Sequence, residues 1–471
     1  MIENVLAGRY ASPAMQQIWD PAAKVRLERR LWVSVLEAQQ RLGLAVPDGA
    51  LDAYRKATEH VDLESIESRE RDLRHDVKAR IEEFNALAGF EAIHLGMTSR
   101  DVTENVELLQ IRRSLELVLV EAVAALGNMG ALAAEYSSLA VTGRTHNVPA
   151  QVTTVGKRIA NAGDELAAAI ERLEAVLPRL PLRGIKGPVG TQQDQTELLG
   201  SPAAAEDLDA AVAEALGFEA VAGSVGQIYP RSLDLDVVSA LVQLAAGPAN
   251  FTNTLRLMAG HDLATEGFRA GQVGSSAMPH KMNTRTSERV HGFKVLLGGH
   301  LAMAVGLAGE QWNEGDVSCS VVRRVMLPDA FFAIDGLLQS FLVVLDEMGF
   351  YPAVIERKLA ADLPFLATTR LLVAAVQAGM GREAAHETIK RHAVAAALAR
   401  REAPEDEPDL LARLASDSEF PLGPDDLAGV VGEPLAFAGL ADRQVEEFGK
   451  RVADIVARHP EALDYRAGVI L

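Results

Sequence analysis

Val295-Leu-Leu-Gly-Gly-His-Leu-Ala-Met-Ala-Val-Gly-Leu307 is apolar on nearly every side if it is wound as a helix. A helix of that kind needs neighbours all round it. It lies inside a stretch, roughly 286–312, that reads as one long helix, and four more follow the same pattern at roughly 104–135, 152–178, 232–263 and 320–348. Each runs beyond the usual three or four turns. Val237 to Ala246 is again apolar all round, with Gly247-Pro248 expected to kink that helix and Pro328 the last one. Little of the central region alternates at period two, so little strand is expected. The predicted fold class is all-α, built on a central bundle of long helices. One chain cannot easily cover five such helices, so the bundle is expected to be completed by other copies.

Outward from the bundle the pattern changes twice. Residues 1–110 read as an N-terminal helical domain, with Pro21 to Leu42 and Val77 to Leu87 as helices and Arg71 to Asp76 opening the second. Residues 111–364 form the central domain. Residues 365–471 read as a small helical domain with helices at Thr368 to Ala378 and Arg382 to Arg400, then an acidic, proline-containing loop, Glu402 to Pro408. At 471 residues the chain is too long for one compact core.

The balance of 46 Lys+Arg against 65 Asp+Glu excludes a broad basic face for nucleic acid, yet it leaves room for a cationic pocket that takes a small anion. A single cysteine, Cys319, cannot form an intrachain disulfide, which suits a reducing compartment. The first ten residues lack the basic and apolar regions of a signal peptide, so a cytoplasmic location is expected. No uninterrupted apolar run reads as long enough to cross a bilayer, and no membrane partner is expected. Dinucleotide, P-loop and zinc-protease spacings are absent, and no cofactor or metal is expected.

Polar loops separate the long helices. Thr142-Gly-Arg-Thr-His-Asn147 lies between the first and second, and Gly271-Gln-Val-Gly-Ser-Ser-Ala-Met-Pro-His-Lys-Met-Asn283 precedes the fourth. The latter reads as a mobile connector between a helix at Asn253 to Phe268 and the next from Thr286. Its two glycines permit the backbone angles of a closing lid. Gly and Ser alone would be ordinary connector chemistry, but a His and a Lys within six residues of two serines suit an anion. Arg74, His75, Thr98 and Ser99 are anion ligands by type, although composition alone favours a solvated helix face for the run that holds the first pair.

Taken together these residues form a set. Gly274 to Asn283 resembles the signature of the fumarase/aspartase superfamily, in the form carried by its adenylosuccinate lyase branch. Gly143-Arg-Thr-His146 resembles that family's second motif. Arg74-His75-Asp76 and Thr98-Ser99 resemble its substrate-binding motifs, and Arg9-Tyr10 its N-terminal nucleotide contact. The resemblance implies β-elimination of fumarate from adenylosuccinate, giving AMP, and from the succinyl-carboxamide ribotide of purine synthesis, SAICAR, giving AICAR. It implies a homotetramer with active sites shared between subunits. It further implies Ser275 as base and His146 as acid, and Lys281, Asn283 and Ser276 on a substrate carboxylate. His75 matches a phosphate-side histidine; Gln227, Ser320 and Arg324 match further contacts; Glu288 matches an acid that orients a histidine. A serine base needs its alkoxide stabilised by positive charge, and Lys281 is the nearest source. The aci-carboxylate intermediate needs donors and cations around it.

Three departures stand out. Thr284 replaces a proline, Asn147 and Pro149 alter the run after His146, and Gly315 stands where the family often has an arginine. Arg323 or Arg231 could substitute for that arginine. The rival readings are a 3-carboxymuconate cycloisomerase of the same superfamily, which would not need phosphate ligands, and a non-catalytic helical assembly, which would not need Ser275, Lys281 and His146.

Overall fold

A computed structural model describes residues 4–267, 278, 280–402 and 410–468. Helices dominate it. In chain order, α1 is Pro21–Arg41 and α2 is Asp76–Ala88. The longest helix, α3, is Ser99–Glu135. The hairpin strands β1 (Ala140–Thr145) and β2 (Val148–Thr154) lead into α4, Val155–Val176. Then come α5 (Ser232–Leu244), α6 (Ala246–Ala259), α7 (Arg285–Leu307), α8 (Ser318–Glu347) and α9 (Ala441–Arg458).

Local chemistry sets these boundaries. Asp20 caps α1 and Pro21 occupies its first turn, where a missing N–H costs nothing. Thr98 and Asp101 form a capping box at the start of α3, and Thr154 caps α4 through Lys157 N. The long stretch at 232–263 is two helices, broken at Ala245 just ahead of Gly247-Pro248. The second ends at Ala259 rather than Phe268, because Asp262 turns the chain with φ of 57° into a short strand, Ala264–Thr265, paired with Gly349–Phe350. Likewise α7 stops at Leu307, two residues before Gly309 at φ +85°.

The main core joins α3, α4, α5, α6, α7 and α8, closed on one side by α9. A second core lies among α1, α2 and the N-terminal half of α3, and a third among the helices after residue 365. Helix α9 approaches α4 at Gly163, where the Phe448 ring occupies the space a side chain would need. Between α3 and α8 a polar clasp is buried: Glu121, Asp335 and Gln339 are all fully inaccessible. Tyr465 donates to Glu121 at 2.8 Å and Gly468 N to Gln339 at 2.8 Å, so the segment after α9 is tied into the bundle. Cys319, at the start of α8, is buried against Ile228 and Leu307.

One expectation is corrected here. Helices α3, α7 and α8 each contain an 18-residue window long and apolar enough to cross a membrane. Neighbouring helices account for two of them, with 61% of the α3 window and 83% of the α8 window buried inside the chain. Only 33% of the α7 window is buried. Its outer face exposes Val295, Leu296, Met303 and Val305, and Val321 and Val325 of α8 are exposed as well.

Candidate active site

The segment 142–147 is not a loop but a β-hairpin. Val and Thr supply its strands, and His146 and Asn147 form the two-residue turn, with φ of 53° and 61°. Positive φ at both central positions is what a tight hairpin turn demands, and Asn tolerates it better than most residues. Gly143 is required, since a Cβ there would stand 2.7 Å from Gln151 O. Below the tip, Thr142 donates to Asp362 at 3.0 Å, Arg144 lies 3.7 Å from the same carboxylate, and Arg158 donates to Thr142 O at 3.1 Å. The base is thus fastened while His146 stands exposed at the tip. Beside the hairpin lies a cavity of about 460 Å³ whose walls include Arg144, Lys157, Arg158 and Lys358.

A second group of residues gathers elsewhere. Arg71 to Asp76 opens α2 at Asp76, as expected, and its first residues also end the helix before it. Leu63–Leu73 ends at Arg74 in the left-handed region, φ 52°, and His75 caps α2. The His75 Nδ1 accepts from Lys78 N at 3.1 Å. With Nδ1 accepting, Nε2 is left as the donor, and it lies 3.4 Å from Ser99 Oγ, beside Thr98 at the mouth of α3. Asp76 lies 3.2 Å from Arg80 and 3.5 Å from Arg324. Burial works to raise its pKa, but Arg80, the Val77 amide and Arg324 together hold the carboxyl below its ordinary value. Ser320 sits one turn before Arg324 on α8, and Gln227 N donates to Glu314 O at 2.6 Å. Tyr10 is packed edge-on to Phe293, with Arg9 on its ring.

The third group flanks residues 268–277. Ser275 and Ser276 lie outside the described residues. Lys281 is exposed beyond them, with its amide on Met278 O, and Asn283 follows. Glu288 is 4.0 Å from Arg256, and no hydrogen bond to a histidine is described for it within this chain. No hydrogen bond or ion pair among the described residues joins His146 or Lys281 to the His75–Ser99–Arg324 group.

Several contributors went unread in the sequence. Glu266, buried, accepts from Thr286 N at 3.0 Å and Ser287 N at 2.9 Å, pinning the chain at 266 to the start of α7. Arg289 lies over the Tyr10 ring, 5.6 Å from its centre; the spacing Arg285, Arg289, Phe293 along one helix face was its signal. His94 accepts from Trp32 and is driven down to a pKa of about 4 by burial, then by Lys78 and His75, so it is neutral. Neither arginine suggested as a stand-in at Gly315 is free to act. Arg323 is spent on Asp234 at 2.7 Å and Glu107 at 2.5 Å, and Arg231 on Glu104 at 2.8 Å; both are 3% exposed.

Known proteins resemble this chain over most of its length. The family described as "Lyase" matches residues 37–295, and "Adenylosuccinate lyase C-terminus" matches 364–448. The adenylosuccinate lyase of Saccharomyces cerevisiae is 36% identical, with 94% of this chain and 93% of that protein covered. The enzyme of Schizosaccharomyces pombe is 33% identical over the same shares. Among solved structures, the 3-carboxy-cis,cis-muconate lactonizing enzyme from Pseudomonas putida superposes with a TM-score of 0.82 at 20% identity, covering 96% of this chain and all of that one. A fumarate lyase from Mesorhizobium sp. BNC1 gives 0.79 at 19% identity, covering 94% and 99%. Such identities carry the fold alone, so they leave the muconate reading without support of its own, whereas the sequence relatives reach further: the chain belongs to the adenylosuccinate lyase family of the fumarase/aspartase superfamily.

Proposed function

We propose that this chain releases fumarate from adenylosuccinate, giving AMP, and from SAICAR, giving AICAR, in a homotetramer whose active sites are shared between subunits. The observation that carries the nucleotide reading is the convergence of three remote segments, 74–76, 98–99 and 320–324, on one cation-bearing face at Ser99, His75 and Arg324. Such a face suits a phosphate monoester. A muconate would make no use of it.

In this mechanism Ser275 removes a proton from the carbon next to a carboxylate. Lys281, Asn283 and Ser276 meet the carboxylate that gathers charge, and His146 protonates the departing nitrogen. A hairpin tip fastened only at its base suits an acid that must reach into a site built by another subunit. The exposed apolar face of α7 and α8 supports assembly, since isolated apolar side chains on a surface are ordinary but a continuous stripe is not. The test is an absorbance assay of purified protein on adenylosuccinate, with and without EDTA. Turnover unaffected by chelation is expected. Turnover of a 3-carboxymuconate instead of adenylosuccinate would refute the reading.

A further inference from the structure

The mouth of α3 carries a cation, Arg100, outside the motif residues named above. Arg100 follows Ser99 directly, and its side chain is 13% exposed, anchored yet in touch with the surface. Its described partner is Glu104 Oε1 at 3.0 Å. That carboxylate is oversubscribed. Arg231 lies 2.8 Å from the same oxygen and Arg323 3.8 Å, while Oε2 accepts from Tyr229 N at 3.3 Å. Three guanidiniums therefore share one carboxylate, and two of them are sealed inside. Arg100 can leave Glu104 without stranding a buried charge, which is the condition that normally forbids breaking such a pair.

The surroundings place Arg100 on the rim of the Ser99–His75–Arg324 face. Ser99 touches His75, Arg324 touches Asp76, and the N-terminus of α8 is tied to the loop 314–316 by Ser318 N donating to Asp316 at 2.6 Å. Bonds from Ser318, and last of all the field of Arg100, hold the Asp316 carboxyl of that loop below its ordinary pKa. Gly315 adds no side chain there. Its φ is +145°, and a Cβ would meet Gln227 Cβ at 3.0 Å. With Arg231 and Arg323 spent on carboxylates, Arg100 is the arginine of this network that reaches the surface beside Ser99.

We infer that Arg100 is a substrate-binding residue that swings from Glu104 to the 5′-phosphate of the nucleotide, taking the part that an arginine at position 315 would play. This rests on the nucleotide reading above. A guanidinium offers a phosphate two parallel N–H donors, so the contact is directional as well as charged.

The test compares ligands that differ only in the phosphate. The intact enzyme and Arg100→Gln are assayed on adenylosuccinate, and each is inhibited with AMP and with adenosine. Loss of one charge-assisted contact predicts kcat/KM for adenylosuccinate falling about tenfold to hundredfold, mostly through KM. The AMP inhibition constant rises by a similar factor, and that of adenosine stays within about twofold by the same reasoning. Arg100→Lys keeps the charge but loses the fork and falls between; it carries the comparison should Arg100→Gln fail to fold. Equal weakening of AMP and adenosine marks Arg100 as merely structural and overturns the inference, as does unchanged AMP inhibition. Absence of turnover by the wild type defeats the proposed function instead, independently of Arg100.

Discussion

Glu121 and Asp335 lie together in the middle of the bundle, and replacing Glu121 by Gln measures what holds them there. Glu121 Oε1 accepts from Gln339 at 2.9 Å and Tyr465 at 2.8 Å, whereas Oε2 is buried with no donor. Asp335 is already satisfied by Ser12, through its amide at 2.5 Å and its hydroxyl at 2.8 Å. Two carboxylates cannot face each other unpartnered in this setting, so one proton sits between them. Burial, then Asp335, pushes the Glu121 pKa well above its ordinary value, and burial raises that of Asp335. The folded state therefore binds a proton that the unfolded chain gives up near pH 4.3. The stabilisation is complete below that pH and is lost as pH rises toward the folded-state value, at about 1.4 kcal/mol per pH unit. Glu121→Gln has no proton to lose. Its amide oxygen still accepts from Gln339 and Tyr465, and its NH₂ donates to Asp335. Urea unfolding from pH 5 to 9, followed by Trp19 fluorescence, should show Glu121→Gln gaining on the wild type with increasing pH at up to that slope. Trp19 is a suitable probe because it stacks on Phe331 of α8. A difference that does not change with pH refutes the shared proton.

Gly163→Ala should cost about 1–3 kcal/mol, because its Cβ would stand 2.3 Å from the Phe448 ring, and Phe448→Leu should restore part of the loss in a thermal scan. Val295→Glu combined with Val321→Glu should shift the sedimentation profile to smaller assemblies; unchanged sedimentation would remove this face from the interface. Ser275→Ala and His146→Gln should each abolish turnover, and reassociated mixtures should recover about a quarter of wild-type activity, since random mixing satisfies two half-chances at each shared site. Mixed oligomers that stay inactive would place the two residues in one subunit.

Sequence periodicity located the long helices because each repeats its apolar face over many turns. It misjudged ends, where one left-handed residue such as Asp262 or Gly309 decides the matter. The hairpin escaped because its strands are short and one face is solvent-exposed, leaving no sustained alternation between β1 and β2. The anion ligands were legible as residue types, yet their grouping was not: nothing local in Arg324 announces that it will meet Asp76. Glu266 was equally silent, since a buried carboxylate that caps a helix twenty residues later leaves no pattern. Arg231 and Arg323 were read as spare cations because charge composition does not reveal which arginines are already neutralised by Glu104, Glu107 and Asp234.

Cys319 offers an unplanned instrument. It is the chain's only thiol, and it is 1% exposed, packed between Ile228 and Leu307 where the α7–α8 connection closes. A thiol so placed reacts only while that connection is open. The ratio of its labelling rate to that of free cysteine then reads out the fraction of time spent open, with no engineered reporter and no competing signal. Ser320 is the next residue, so any ligand that engages Ser320 and Arg324 slows the labelling in proportion to occupancy. One reagent thus serves both as a stopwatch for local breathing and as a titration of binding in the unmodified enzyme.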